Sequence, residues 1–361
     1  MRAPLVLHPS NESYQYDEEF TVILGDWYHQ QHATLLQSFL SNANPFGNEP
    51  IPGKFYPHYY FLDRCFDVSH CLDSGLIYFA QGPSYLPPIS GTSSSPVTSG
   101  VGFNENATLP FVPGRTYRLR IINMAAFVAY YFWIDGHEMR IIEADGVSPT
   151  CNDHCGTHRH HSLQTDVQEY PTDMLSISVA QRYSILVQAR NDSSSNWMIH
   201  ANMDTTMFDV VPPTLQTSVC LSLVHSHSLL RCTQTDVTSS ITYATGKNTT
   251  DLGPVQSYAM TNDTALAPLV AIPQPVASQT VELEIVFQTM NDGTNHATLD
   301  GYVYNSPIVP AIISAITLGD NATSQEAYGP YSIMLNHLDV VDIIVNNSDK
   351  GSHPLCGLVT F

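Results

Sequence analysis

The sequence predicts an all-β protein built from β-sandwiches, one complete and one partial, and three observations carry that expectation. Most regular segments are rich in Val, Ile, Tyr and Thr, and several alternate apolar with polar residues, the period of a strand with one buried face. Turn-rich stretches such as 87–100 (PPISGTSSSPVTSG) and 109–116 (LPFVPGRT) separate them, and the 24 prolines are spread through the connections. A single segment, 30–42, reads as a helix, with Ala33, Leu36 and Leu40 spaced for one face. Many short strands joined by Pro/Gly turns close as sandwiches.

Taken in order, strands are expected at 20–29 (FTVILGDWYH), 116–124 (TYRLRIINM), 176–189 (SISVAQRYSILVQA), 280–287 (TVELEIVF) and 338–347 (LDVVDIIVNN). Residues 1–15 read as the tail of a preceding domain, 16–215 as a complete sandwich domain, 216–278 as a polar linker without clear periodicity, and 279–361 as part of a further domain. Arg115, just before one strand, and Arg118 and Arg120, at alternate positions within it, are expected on a solvated face.

The 361 residues carry a formal net charge of −20, from 33 acidic and 13 basic side chains, with 43% hydrophobic residues. Such a field repels nucleic acid and anionic membrane surfaces; it suits a soluble acidic surface or a cationic substrate. No run of about 18 apolar residues encodes a membrane span. The first residues lack the apolar core of a secretory leader. Seven N-x-S/T sequons nevertheless occur, at Asn11, Asn106, Asn191, Asn248, Asn262, Asn321 and Asn346, and they point to a glycosylated chain of the secretory pathway whose true N-terminus lies upstream.

The most distinctive stretch is 112–146, VPGRTYRLRIINMAAFVAYYFWIDGHEMRIIEADG. With 26–32 (DWYHQQH), 73–82 (DSGLIYFAQG), 172–189 (TDMLSISVAQRYSILVQA) and 204–216 (DTTMFDVVPPTLQ), it resembles the second cupredoxin domain of the multicopper oxidases, above all the fungal iron-oxidising branch and then the fungal laccases. Residues 289–311 and 340–354 resemble the opening of the family's third domain. The resemblance implies Greek-key cupredoxin sandwiches. It implies copper as cofactor, with a blue copper that takes electrons from the substrate and a trinuclear cluster that reduces dioxygen to water. It implies Fe(II) or phenolic substrates, an iron permease as partner in the iron-oxidising case, and a place outside the cell or on the outer face of the plasma membrane.

The departures from the family pattern bear on activity. The first-domain histidine motifs are absent, and the third-domain motif opens with His353 but continues as HPLCGLVTF. His353 matches a blue-copper ligand position of an incomplete site. Cys356 does not replace the ligand cysteine, and His29 is not a copper ligand in the family. This chain alone is therefore expected to be inactive; the alternative is a catalytically dead β-sandwich fragment, or a binding protein with a His/Cys-rich metal-binding loop. Within the resemblance, Asp135 matches an acid that binds Fe(II), Gln288 stands where a second such acid is expected, His137 and Glu138 read as hydrogen-bonding residues at a strand end, and Asp145 and Gly146 read as a turn.

Three segments interrupt the pattern: 53–72, 147–168 and 219–240. They hold Cys65, Cys71, Cys151, Cys155, Cys220 and Cys232, six of the seven cysteines, and eight of the 16 histidines. The codons permitted by Val147-Ser148, Val219-Cys220 and Gly53-Lys54 allow donor splice sites, and that of Gln168 an acceptor end. The segments read as introns translated in frame. The competing reading of CNDHCGTHRHH (151–161) is a zinc site with Cys151, Cys155, His158 and His160 or His161 as ligands.

Overall fold

The computed structural model describes residues 12–27, 73–80, 108–145 except 126, 166–204, 206, 217–219, 231–233, 236–270 except 254, 276–304, 309–319, 332–333, 335–336 and 339–348, with isolated positions 6, 8, 33, 36, 37, 40 and 41. They fall into two compact units.

The first unit opens with β1 (Glu18–Trp27), β2 (Asp73–Ala80) and the short β3 (Thr108–Pro110). There follow β4 (Thr116–Asn123), β5 (Tyr130–Ile134), β6 (Met139–Ala144), β7 (Asp166–Thr172) and β8 (Leu175–Ile177). β9 (Arg182–Gln188), β10 (Asn196–Met203), β11 (Thr217–Val219), β12 (Arg231–Thr233), β13 (Asp236–Thr242) and β14 (Thr249–Thr250) complete it. One sheet runs β2-β1-β4-β9-β6-β7; a second runs β3-β13-β10-β5-β8, with β14 on β10. Few neighbours are consecutive in sequence, so the chain crosses repeatedly between sheets, as in a Greek-key sandwich.

Period-two patterning makes the core. Phe20, Val22 and Leu24 of β1, Tyr117, Leu119 and Ile121 of β4, and Tyr183, Ile185 and Val187 of β9 are buried with Phe132 and Ile134 of β5 and Ile199 and Ala201 of β10. At one end Phe111 stacks on Tyr117 with ring centroids 3.9 Å apart, and Phe20 extends the stack at 5.7 Å from Tyr117.

The opposite face of the first sheet corrects the expectation for Arg118 and Arg120, while Arg115 is exposed as expected. Arg118 is 4% exposed. It donates to Glu143 of β6 at 2.6 Å and to Glu12 at 2.9 Å, with Tyr16 beneath its guanidinium. Arg120 reaches Glu19 at 3.2 Å and Glu143 at 3.5 Å. A charged strand face can be buried when the N-terminal segment supplies the counter-charges.

Two further expectations change. Segment 176–189 is not one strand: Ala180 adopts φ 67°, Gln181 N–H bonds to the Ser178 carbonyl, and this turn separates β8 from β9. The stretch 216–278 is not a featureless linker. It supplies β11 to β14, and β13 pairs antiparallel with β10 from Trp197↔Ile241 to Asn202↔Asp236. Residues 236–240, placed at the end of a foreign insertion, are thus an interior part of the second sheet. Of the helix at 30–42, the described positions 33, 36, 37 and 40 are helical.

The second unit contains β15 (Gln279–Thr289), β16 (Asn295–Leu299), β17 (Tyr302–Val303), helix α1 (Ala311–Leu318) and β18 (Val341–Asn347). Its sheet runs β17-β16-β15-β18, with β15 and β18 parallel. No described helix is long and apolar enough to cross a membrane.

Candidate functional site

The FWIDGHE stretch turns at the end of β5. Gly136 takes φ 63°, and a Cβ there would lie 2.4 Å from the Trp197 ring, so the turn requires glycine. This sets Asp135 at the strand end, its N–H bonded to the Met198 carbonyl of β10 at 3.0 Å. His137 folds back: its Nδ1 lies 2.7 Å from the Asp135 carbonyl, and its Nε2 lies 2.7 Å from the Tyr243 hydroxyl. A carbonyl only accepts, so Nδ1 carries the proton and Nε2 accepts from Tyr243. Burial lowers the His137 pKa below the ordinary imidazole value, consistent with a neutral ring.

Asp135 is itself buried, its side chain 3% exposed. Its Oδ2 accepts the Leu252 N–H at 2.7 Å and lies 3.2 Å from His200 Nε2. His200 stands opposite Trp133 in the β10–β5 register, and the rings stack at 4.5 Å and 6°. Its Nδ1 lies 2.7 Å from Oδ2 of Asp236 on β13. The Asp251 Oδ1, on a half-exposed side chain, is 3.8 Å from His200 Nε2. Burial opposes protonation of His200, but hydrogen bonds and charge from Asp236 and Asp135 outweigh it and raise its pKa. Burial also raises the Asp236 pKa, against the pull of His200. Asp251, Leu252 and Tyr258, from the stretch expected to be a linker, cover this face of the second sheet.

The sequence reading singled out Asp135 but missed His200, Asp236 and Asp251. They come from β10, β13 and the turn after β14, so no local motif joins them. Glu138 is exposed, Asp145 adopts φ 60° in a turn, and Gln288 lies on β15 of the second unit. His353, the zinc candidates Cys151, Cys155, His158 and His160, and the sequons Asn11, Asn106 and Asn321 lie outside the described residues. Asn191, Asn248, Asn262 and Asn346 are exposed.

A family model described as multicopper oxidase matches residues 18–153 and 164–225, which is more than half of the sequence, and skips ten residues inside the His/Cys-rich stretch. The chain belongs to the multicopper oxidase family. It is 36% identical over 98% of its length to the iron multicopper oxidase fer1 of Mycosarcoma maydis, covering 48% of that protein. It is 28% identical to the iron transport multicopper oxidase FET3 of Saccharomyces cerevisiae, again over 98% of this chain and 44% of the relative. Among solved structures, Fet3p, a multicopper oxidase that functions in iron import, matches with a TM-score of 0.61 at 28% identity, over 95% of this chain and 50% of that one. The chain thus spans about half the length of the curated relatives it matches, and the expected cupredoxin sandwich is the observed fold.

Multicopper oxidases are copper enzymes. Among the described residues the donor atoms of Asp135, His200 and Asp251 converge, and no other such group does. One imidazole and two carboxylates without a thiolate do not suit a blue copper, which takes two His and a Cys. The described residues therefore do not fit the family's copper.

Proposed function

We propose that the chain is a segment of an iron-oxidising multicopper oxidase, whose parent reaction removes one electron from each of four Fe(II) ions and, with four protons, reduces dioxygen to two waters. The observation that carries this reading is Asp135, a carboxylate in the FWIDGHE stretch held among Asp236, Asp251 and His200. Hard oxygen donors favour Fe(III) over Fe(II), so an acidic setting lowers the potential of the iron couple and assists its oxidation. The naming of relatives such as fer1 as iron oxidases supports the same substrate. Gln288, in place of a second acid, favours the laccase-type alternative, in which a phenol is oxidised. An iron permease as partner and a place at the cell surface follow from the iron reading.

These 361 residues contain only His353 among the family's copper-ligand positions. The chain by itself is inactive on this reading and yields no intense blue thiolate–copper absorption when given Cu(II). A blue product would overturn the ligand assignment. Sequencing of the mature transcript across codons 53–72, 147–168 and 219–240 and beyond 354 tests the intron reading: it fails if every message retains them. In the oxidase translated from the spliced message, Asp135→Asn is expected to raise KM for Fe(II) several-fold and leave phenol oxidation unchanged. An unchanged KM would sink the iron reading.

A further inference from the structure

We propose that Asp135, His200 and Asp251 form a divalent-cation site, with Asp236 as the carboxylate that orients the imidazole. The inference rests on the reading of Asp135 as the iron-facing acid and adds two ligands and an orienting residue to it.

Geometry comes first. The three ligand atoms lie within 4.8 Å of one another, with His200 Nε2 at 3.2 Å from Asp135 Oδ2 and 3.8 Å from Asp251 Oδ1. Donors bound to one cation at about 2.1 Å stand roughly 3.0–3.5 Å apart when adjacent. Small side-chain movements, chiefly of exposed Asp251, close the set.

The second argument is the hydrogen on the ring. Asp236 accepts from His200 Nδ1 across 2.7 Å. That contact holds the ring so that Nε2 faces Asp135 Oδ2, where a metal would replace the Nε2 proton, the carboxylate–histidine–metal pattern.

Charge supplies the third argument. Among the described residues the ion pairs of Asp135, Asp236 and Asp251 all run to His200, and no Lys or Arg joins them. With the imidazole neutral, as a ligand must be, the three carboxylates carry three negative charges. Asp236 Oδ1 is also buried without a hydrogen-bond partner. A divalent ion offsets two of these charges, and half-exposed Asp251 gives it an entrance. One nitrogen and two oxygens suit a borderline or hard ion of the Fe(II), Mn(II) or Zn(II) class rather than a thiolate-seeking Cu(I).

Mn(II) is the probe, since it does not oxidise readily in air. Loss of the free Mn(II) paramagnetic resonance signal is titrated with the full 361-residue chain and four variants: Asp251→Asn, His200→Gln, Asp135→Asn, and His158→Ala with His160→Ala. The wild type and the His158/His160 variant are expected to bind alike. Asp251→Asn, which alters an exposed side chain and preserves the fold, is expected to weaken binding about 10-fold or more, as is His200→Gln. The inference is overturned if the wild type binds no Mn(II), a proton then being the positive centre; if binding tracks the His158/His160 variant; or if Asp251→Asn and His200→Gln bind as the wild type does. If Asp135→Asn alone weakens binding, the site fails while the Asp135 iron reading stands. If no variant matters, that reading is left to the Fe(II) KM test.

Discussion

Arg118 of β4 and Glu143 of β6 meet at 2.6 Å across the outer face of the first sheet, their side chains 5% and 6% exposed. Ser184 of β9, the strand between them, also bonds to Glu143. Removing Glu143 leaves buried Arg118 with only the part-exposed Glu12, and Arg120 with only Glu19, as counter-charges. Glu143→Ala is therefore expected to cost about 2–3 kcal/mol in chemical denaturation. The pair Arg118→Met with Glu143→Leu should cost less than the single change, because no charge is left alone. A loss below about 1 kcal/mol for the single variant would place the pair among weak surface bridges instead.

Gly136→Ala tests the turn that fixes Asp135. The new methyl meets the Trp197 ring, over which Arg190 also lies at 4.6 Å, and the backbone must keep φ 63°. Overpacking and the left-handed conformation together are expected to destabilise by about 2–4 kcal/mol. A melting temperature equal to that of the parent would show that the turn can relax.

Tyr183 governs an alkaline response. Burial, with the hydrogen bond to Asp263 at 2.5 Å, raises its pKa far above that of a free phenol; Tyr14 is pushed up to about 12 by burial and nearby Asp166. Both folded-state values exceed the unfolded one, so their stabilising contribution is complete below about pH 10. It is lost as pH rises further, because the unfolded chain releases these protons first. Stability should fall above pH ~10, and Tyr183→Phe should flatten the fall. Phenolate absorbance that titrates entirely as free tyrosine would refute this.

Two deletions distinguish the interrupting segments. Glu143 and Asp166 are already cross-strand partners, so removing 147–165 leaves Ala144, Asp145 and Gly146 as a hairpin loop of ordinary length. That variant should keep the fold by circular dichroism. Removing 219–240 also takes Asp236 and most of β13, and with them most of the pairing between β13 and β10. It should unfold at markedly lower temperature.

The exposed sequons give a simpler check. Asn191, Asn248, Asn262 and Asn346 are exposed, and the Thr264 hydroxyl already bonds to the Asn262 side-chain oxygen at 2.7 Å. Expression through a secretory host should add enzymatically removable glycans at these positions, read by peptide mass. Unmodified peptides at all four would refute it.

Strands with one apolar face were legible in the sequence, and β1, β4, β15 and β18 lie within two or three residues of the expected bounds, with β18 beginning three residues late. The misses share a physical cause. β5 is buried on both faces and shows no alternation, whereas β10 carries His200 and Asn202 buried on the face opposite Ile199 and Ala201, and β13 sets Ser239 opposite Ile199, so neither strand shows one apolar and one exposed polar face. Asp135 was visible because it sits in a distinctive local run. Its partners were not, since strand pairing alone brings β10 and β13 together, and pairing partners leave no mark at a fixed spacing.

β1 lies between β2 and β4, the latter joined to it in parallel register from Glu18↔Tyr117 to Leu24↔Asn123. The ribosome therefore delivers β1 about a hundred residues before the strand that completes its central position. At roughly 5–20 residues per second, Phe20, Val22 and Leu24 wait on the order of 5–20 seconds in the nascent chain. Each residue added between β1 and β4 lengthens that wait, so the length of this connection sets how long the emerging polypeptide needs a chaperone's cover.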